Sequence, residues 1–183
     1  MLISYSNKLA SGIKYFSTSD GKTENSINAF GYAEPYLVSV ASPFEEESPS
    51  FKSQVIMSKE EFINRIKKIN LMTSISLSKL ASQVKILEWT EGGRVKKIKI
   101  GDKLFSGIDI RWAINLKSAD FNIKIDKKNI TFNVKGFGHG VGMSQWGANE
   151  MGKRGTKYDA ILNHYFKGTV IKKIDDIYKK KSI

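Results

Sequence analysis

The first residues alternate apolar and polar side chains, with β-branched and aromatic residues among them. Residues 1–6 and 12–18 therefore predict two strands around a turn at Asn7–Ser11. Ser17-Thr18-Ser19-Asp20-Gly21 reads as a hydroxyl-rich turn, where short side chains bond their own backbone and Gly21 supplies an unusual φ. Residues 27–57 are irregular, hold Pro35, Pro43 and Pro49, and end in a strand over Phe51–Met57. Within them Glu45-Glu46-Glu47 reads as a solvated acidic loop.

Ser58-Lys59-Glu60-Glu61 has the spacing of a capping box, in which the hydroxyl accepts from an early amide and the Glu reaches back. Phe62, Ile63, Ile66 and Ile69 then make one apolar stripe of a helix over 59–69, and a shorter helix is predicted over 76–82. Val84–Thr90 and Arg94–Ile100 flank Glu91-Gly92-Gly93 and predict a hairpin. Ile110, Trp112, Ala113 and Leu116 place a helix over Ile108–Leu116, and Phe121–Ile125 with Ile130–Val134 predicts a second hairpin. A helix starting at Met143 or Ser144 runs to about Met151, with Gly152 just past its end. Thr156 to Asp159 repeats the capping-box spacing before a helix over Lys157–Phe166 that ends at Gly168. Val170–Ile174 is the closing strand. The pattern is that of an α+β fold. A β-rich core, with hairpins at about 84–100 and 120–135, carries a small helical insertion at about 58–82 and two C-terminal helices.

At 183 residues the chain fits one domain, 1–183, able to bury a real core. Its net charge of +12 attracts polyanions: nucleic acid, anionic lipid and anionic cell-wall polymers all qualify. The basic residues are mostly scattered lysines, apart from the tail Lys179-Lys180-Lys181. Without a recognisable nucleic-acid module or an Arg cluster suited to base reading, nucleic acid is not an expected partner. The absence of cysteine excludes disulfides and thiolate metal sites. With only His139 and His164 for histidines, neither a metal nor any other cofactor is expected. No apolar run reaches the length of a membrane span, and the first residues do not have the layout of a signal peptide. Met1 leads straight into a strand, as in a chain that has lost upstream sequence.

The densest chemistry lies in Gly136-Phe137-Gly138-His139-Gly140-Val141-Gly142-Met143-Ser144-Gln145-Trp146-Gly147-Ala148. Glycine costs backbone entropy, so this density implies positive φ angles or a backbone that approaches something closely. Polar groups able to meet a ligand sit between the glycines: His139, Ser144, Gln145 and the indole of Trp146. Trp146 suits either sugar stacking or core packing, and His139 either a ligand or the interior. Gly21-Lys22-Thr23 hints at a phosphate loop, but Phe16 stands where that motif needs glycine.

This stretch resembles the signature of the stage II sporulation protein D family, also called the amidase-enhancer family. The resemblance extends to Tyr15-Phe16-Ser17-Thr18-Ser19-Asp20-Gly21-Lys22-Thr23-Glu24, to Pro35-Tyr36-Leu37 with Ser42-Pro43, to Ser106–Arg111 and to His164–Thr169, in family order. It implies action on peptidoglycan outside the cytoplasm, at the engulfing membrane of spore formers, with membrane-bound sporulation partners. It also implies lytic transglycosylase chemistry. A carboxylic acid protonates the glycosidic oxygen between N-acetylmuramic acid and N-acetylglucosamine, then takes the 6-hydroxyl proton to give a 1,6-anhydro product. The family's Glu for this lies upstream of the serine-rich turn, so it is expected upstream of Met1 and the domain is read as N-terminally truncated. Of the glutamates present, Glu24 is expected at the surface, and Glu88 and Glu150 are not expected to be catalytic. The residues expected to bind substrate are Ser17, Thr18, Ser19, Gly138, His139, Gly140, Gly142, Ser144, Gln145 and Trp146, with early helix amides facing acetamido or lactyl oxygens. A non-catalytic glycan-binding module that assists a partner amidase is the alternative.

Overall fold

The computed structural model describes residues 1–174, and the Lys179-Lys180-Lys181 tail lies outside the described residues. In chain order the elements are β1 (Leu2–Tyr5), β2 (Lys8–Leu9), β3 (Tyr15–Phe16), α1 (Ser26–Phe30), β4 (Lys52–Ser58), α2 (Lys59–Ile69), α3 (Leu80–Gln83), β5 (Val84–Trp89), β6 (Val95–Ile100), β7 (Lys103–Phe105), α4 (Gly107–Ile114), β8 (Phe121–Ile125), β9 (Asn129–Lys135), β10 (Met143–Ser144), α5 (Gln145–Lys153), α6 (Tyr158–Tyr165) and β11 (Val170–Lys172). The architecture is α+β, with strands in several small sheets.

Two apolar clusters divide the work. In the first, the antiparallel sheet β4-β9-β8 and the antiparallel sheet β5-β6-β7 close on α2 and α4. Phe62 and Ile66, both 0% exposed, carry α2 onto this core, with the Phe62 ring 5.9 Å from that of Phe132. Each fully buried side chain of that size contributes about 1.5–3 kcal/mol. The second cluster holds Tyr36, Leu37, Val141, Ile161, Tyr165 and Phe166, so α6 and the chain around residues 36–40 pack there. β11 pairs antiparallel with β1, Leu2 opposite Lys172, which brings the two ends of the described chain into one sheet.

Both predicted hairpins form, the first between β5 and β6 and the second between β8 and β9. The N-terminal pairing differs from expectation. Ser6 and Asn7 adopt positive φ (48° and 62°), a tight two-residue turn that makes Lys8–Leu9, not residues 12–18, the hairpin partner of β1. The Tyr15–Phe16 strand leaves this sheet and runs parallel to β10 instead. A short helix, α1, forms within the stretch read as irregular, ending on Gly31 in the left-handed conformation.

The helix caps divide similarly. Ser106 and Asp109 make a complete capping box for α4. Ser58 accepts the Glu61 amide at 3.1 Å, but the Glu61 carboxylate turns to Arg65 at 2.7 Å, so only half of that box exists. The Thr156–Asp159 box does not form. Lys157 takes the N-cap position with no side-chain bond, because Asp159 spends its carboxylate on the Ala160 amide. Helix α5 continues through Gly152 to Lys153, and Gly155 makes the turn beyond it.

Candidate functional site

The glycine-rich run is zipped along the N-terminal segment. Thr18 and Phe137 exchange backbone hydrogen bonds at 3.1 and 2.8 Å, the Glu24 amide donates to the Gly140 carbonyl at 2.7 Å, and the Met143 amide donates to the Lys14 carbonyl at 3.1 Å. The glycines serve this contact. At Gly142 (φ 78°) a Cβ would lie 2.2 Å from the Lys14 carbonyl oxygen. At Gly140 (φ 83°) it would lie 2.2 Å from an Arg94 guanidinium nitrogen. Most of the close approach is therefore between parts of the protein itself.

Beneath the run lies a buried carboxylate. Glu45 is 1% exposed and accepts from the Ser19 amide at 2.7 Å, the Ser42 hydroxyl at 2.5 Å and the Ser144 hydroxyl at 2.7 Å. Burial raises its pKa, and these hydrogen bonds oppose the rise. Ser144 also accepts the Gly147 amide, and the Trp146 amide donates to the Ser17 carbonyl, so these first amides of α5 are spoken for. The solvated-loop reading of Glu45 is thus corrected: it knots the serine-rich turn to the start of α5.

Beside Gly138 and His139 a cleft of about 490 Å³ opens between the two cores. Tyr15, Phe16 and Phe30 form one wall, Arg94, Arg111 and Trp112 the other. The His139 ring sits edge-on to Phe30 with centroids 5.1 Å apart. Its Nδ1 accepts the Val141 amide at 3.1 Å, which puts the proton of the neutral ring on Nε2. Burial, then the charges of Arg111, Lys14 and Arg94, lower its pKa from 6.5 to about 4. His139 is therefore a neutral hydrogen-bond donor at pH 7.

Glu24 also lines the cleft and is 1% exposed, which corrects the surface expectation for it. One oxygen accepts from the Asn25 amide and the Asn28 side chain, both at 2.8 Å, and the other from the Thr90 hydroxyl, with Arg94 at 4.0 Å. With both oxygens engaged, Glu24 acts as a brace between the 24–28 segment and the 90–94 turn rather than as a free acid. Arg111 is different. It donates through Nε to the Leu116 carbonyl at 3.4 Å and lies 4.9 Å over the Trp112 ring, and among the described residues no carboxylate pairs with it. Burial, with the nearby charge of Arg94, lowers its pKa.

A carboxyl pair lies apart from the cleft lining. Asp120 is 5% exposed, one of its oxygens has no partner among the described residues, and Asp20 stands next to it. Burial first, then Asp20, pushes Asp120 from 3.8 up to about 8, against the pull of Lys135 and Arg94. Among the described residues no group of three or more His, Asp or Glu side chains is placed to hold a metal ion.

No protein-family model matches the chain. It is 37% identical over 179 residues to the stage II sporulation protein D of Bacillus subtilis (strain 168), covering 98% of this chain and 50% of that relative. The same protein of Bacillus amyloliquefaciens matches with the same identity and coverage. This chain belongs to the stage II sporulation protein D family. It spans about half the length of these curated relatives. The amidase enhancer of Bacillus subtilis (strain 168) is 42% identical over 55 residues, covering 30% of this chain and 8% of that relative.

In this family member the structure sorts the residues expected to bind substrate. Gly138 and His139 line the cleft. Gly140 and Gly142 lie buried behind it, against Arg94 and Lys14. Thr18, Ser19 and Ser144 are 1%, 0% and 0% exposed, so their side chains are corrected to interior roles. Thr18 bonds Ser48 at 2.9 Å and Ser19 the Lys22 carbonyl at 2.8 Å, leaving Ser17 half-buried at the turn with its hydroxyl 3.3 Å from that of Thr18. Gln145 is exposed and Trp146 half-buried, and neither lines the cleft. The indole Nε1 of Trp146 is buried without a partner among the described residues. His164 lies away from the cleft and holds the Ala41 carbonyl at 2.6 Å. The residues that sequence reading missed are Glu24, Arg94, Arg111 and Trp112. Trp112 was assigned to the apolar stripe of its helix but is 70% exposed. Its neighbour Arg111 was the available signal, since an Arg-Trp pair within an apolar helix is a mixed surface.

Proposed function

We propose that this chain provides the glycan-binding surface of a peptidoglycan-acting sporulation domain, with one stretch of the sugar strand lying in the cleft beside His139. The observation that carries this reading is the cleft itself, which brings together aromatic side chains from both walls, a neutral imidazole N–H and a guanidinium with no carboxylate partner among the described residues. Sugar rings present C–H faces to aromatic side chains and hydroxyl, acetamido and carboxyl oxygens to donors. Trp112 and Tyr15, 70% and 62% exposed, supply faces at the rim, while His139 and Arg111 supply donors within. In this reading the reaction is lytic transglycosylase cleavage outside the cytoplasm, and its proton donor comes from polypeptide beyond these 183 residues. Glu24, with both oxygens engaged, holds the wall and does not deliver the proton.

The match to an amidase enhancer favours a second reading, a non-catalytic glycan module that assists a partner amidase. Purified chain incubated with peptidoglycan strands, followed by muropeptide analysis, separates the two. 1,6-Anhydro products support a complete enzyme, and binding without products supports the module or an incomplete domain. Loss of binding in His139→Ala, with an unchanged melting temperature, places the strand in this cleft. Retention of full affinity in that variant removes the cleft from consideration.

A further inference from the structure

The connection between α2 and α3 exposes more apolar surface than a turn requires. Leu71 and Met72 are 79% and 77% exposed, and Ile69 and Leu77 beside them 44% and 43%. The turn is nonetheless firmly built. The Thr73 amide and hydroxyl donate to the Asn70 carbonyl at 3.2 and 2.9 Å, and the Met72 amide donates to the Asn70 side chain at 3.1 Å. The Ser74 amide is tied to Asp102 at 2.7 Å and the Ser76 amide to Gln83 at 2.8 Å. Thr73, 3% exposed, plugs the turn into the body. Gly101 completes the seat, since a Cβ there would lie 2.1 Å from the Ser74 carbonyl oxygen. The fold therefore commits five hydrogen bonds to holding two large apolar side chains in water. Ordered presentation of this kind marks an interaction surface.

Charge identifies the partner. Residues 67–79 contain Lys67, Lys68 and Lys79 and no acidic residue, and all three lysines are exposed. The acid that touches the turn, Asp102, is neutralised by Lys103 at 2.9 Å and the Ser74 amide. A soluble polyanion would be bound by the lysines without any use for Leu71 and Met72. A lipid bilayer with anionic headgroups uses both, taking the apolar tips into the headgroup–acyl boundary while the lysines meet the surface charge.

We propose that the Ile69–Met72 tip inserts into an anionic membrane surface and docks the protein there. A four-residue tip reaches only the headgroup–acyl boundary, so this contact is a shallow, reversible one. The test is co-sedimentation of the 183-residue chain with vesicles of phosphatidylglycerol mixed with phosphatidylcholine, against pure phosphatidylcholine and against soluble heparin. The expected result is binding to the anionic vesicles. Leu71→Ser with Met72→Ser should weaken it at least tenfold, while heparin binding and the melting temperature stay unchanged. Lys67→Gln with Lys68→Gln should weaken vesicle binding by about tenfold or more with the melting temperature unchanged. Vesicle binding that is absent, or that survives the double serine substitution undiminished, overturns the proposal. The second outcome would leave the general charge of +12 as the cause of binding.

Discussion

Replacing Gly142 by Ala tests the claim that the glycine-rich run is shaped by the protein's own close approach. Two costs are expected. A non-glycine residue at φ 78° carries about 1–2 kcal/mol of backbone strain. The new methyl would also lie 2.2 Å from the Lys14 carbonyl oxygen and 2.9 Å from its carbon, both backbone atoms that move only with β3, and overpacking of that kind costs about 1–3 kcal/mol. The sum is about 2–5 kcal/mol, or a melting temperature lower by roughly 4–20 °C for a chain of this size. Gly155→Ala is the matched control, with φ 85° and nothing within 4 Å of the added methyl. It carries the strain alone, and the entropy that alanine removes from the unfolded chain is common to both and cancels. Thermal and urea unfolding, followed by circular dichroism, should show the Gly142 variant less stable than the Gly155 variant by about 1–3 kcal/mol. Equal stabilities would mean that β3 yields without cost, and the tight seam between residues 14–24 and 136–144 would not be what demands glycine.

Further outcomes follow from the buried charges and the rim. Asp120 has a folded-state pKa of about 8 against 3.8, so its contribution is present at low pH and is lost as pH rises from about 4 through 8. Asp120→Asn should therefore gain on the wild type across that window, by at most about 1.4 kcal/mol per pH unit, read from urea midpoints. A constant difference at all pH values would refute the assignment. His139 behaves oppositely. With its pKa lowered from 6.5 to about 4, stability falls as pH drops through that range, and His139→Gln should flatten this acid limb in thermal scans. Glu45→Ala strands the Ser19 amide and the Ser42 and Ser144 hydroxyls in the interior and should cost about 3–5 kcal/mol in chemical unfolding. Trp112→Ala should change stability by less than about 0.5 kcal/mol yet lower glycan affinity roughly threefold to tenfold by calorimetry.

The amino-acid order alone was enough for whatever depends on neighbours along the chain. Alternation and turn residues marked both hairpins, the spacing of Ile110, Ala113 and Leu116 marked α4, and the start of α5 was placed at Met143 or Ser144, because each signal spans only a few residues. Family membership was legible for the same reason, as runs of residues in a fixed order. Contacts between distant segments were not. The parallel pairing of β3 with β10, the burial of Glu45 under Ser19 and Ser144, and the bracing of Glu24 by Thr90 join chain positions that carry no mutual mark in the sequence. A serine that caps a buried glutamate and a serine that meets a ligand look alike until their surroundings are known. For that reason tertiary structure moved Thr18, Ser19 and Ser144 into the interior and brought Arg94, Arg111 and Trp112 to the cleft beside His139. Burial and charge balance are properties of space, and folding decides them only when the two cores close on one another.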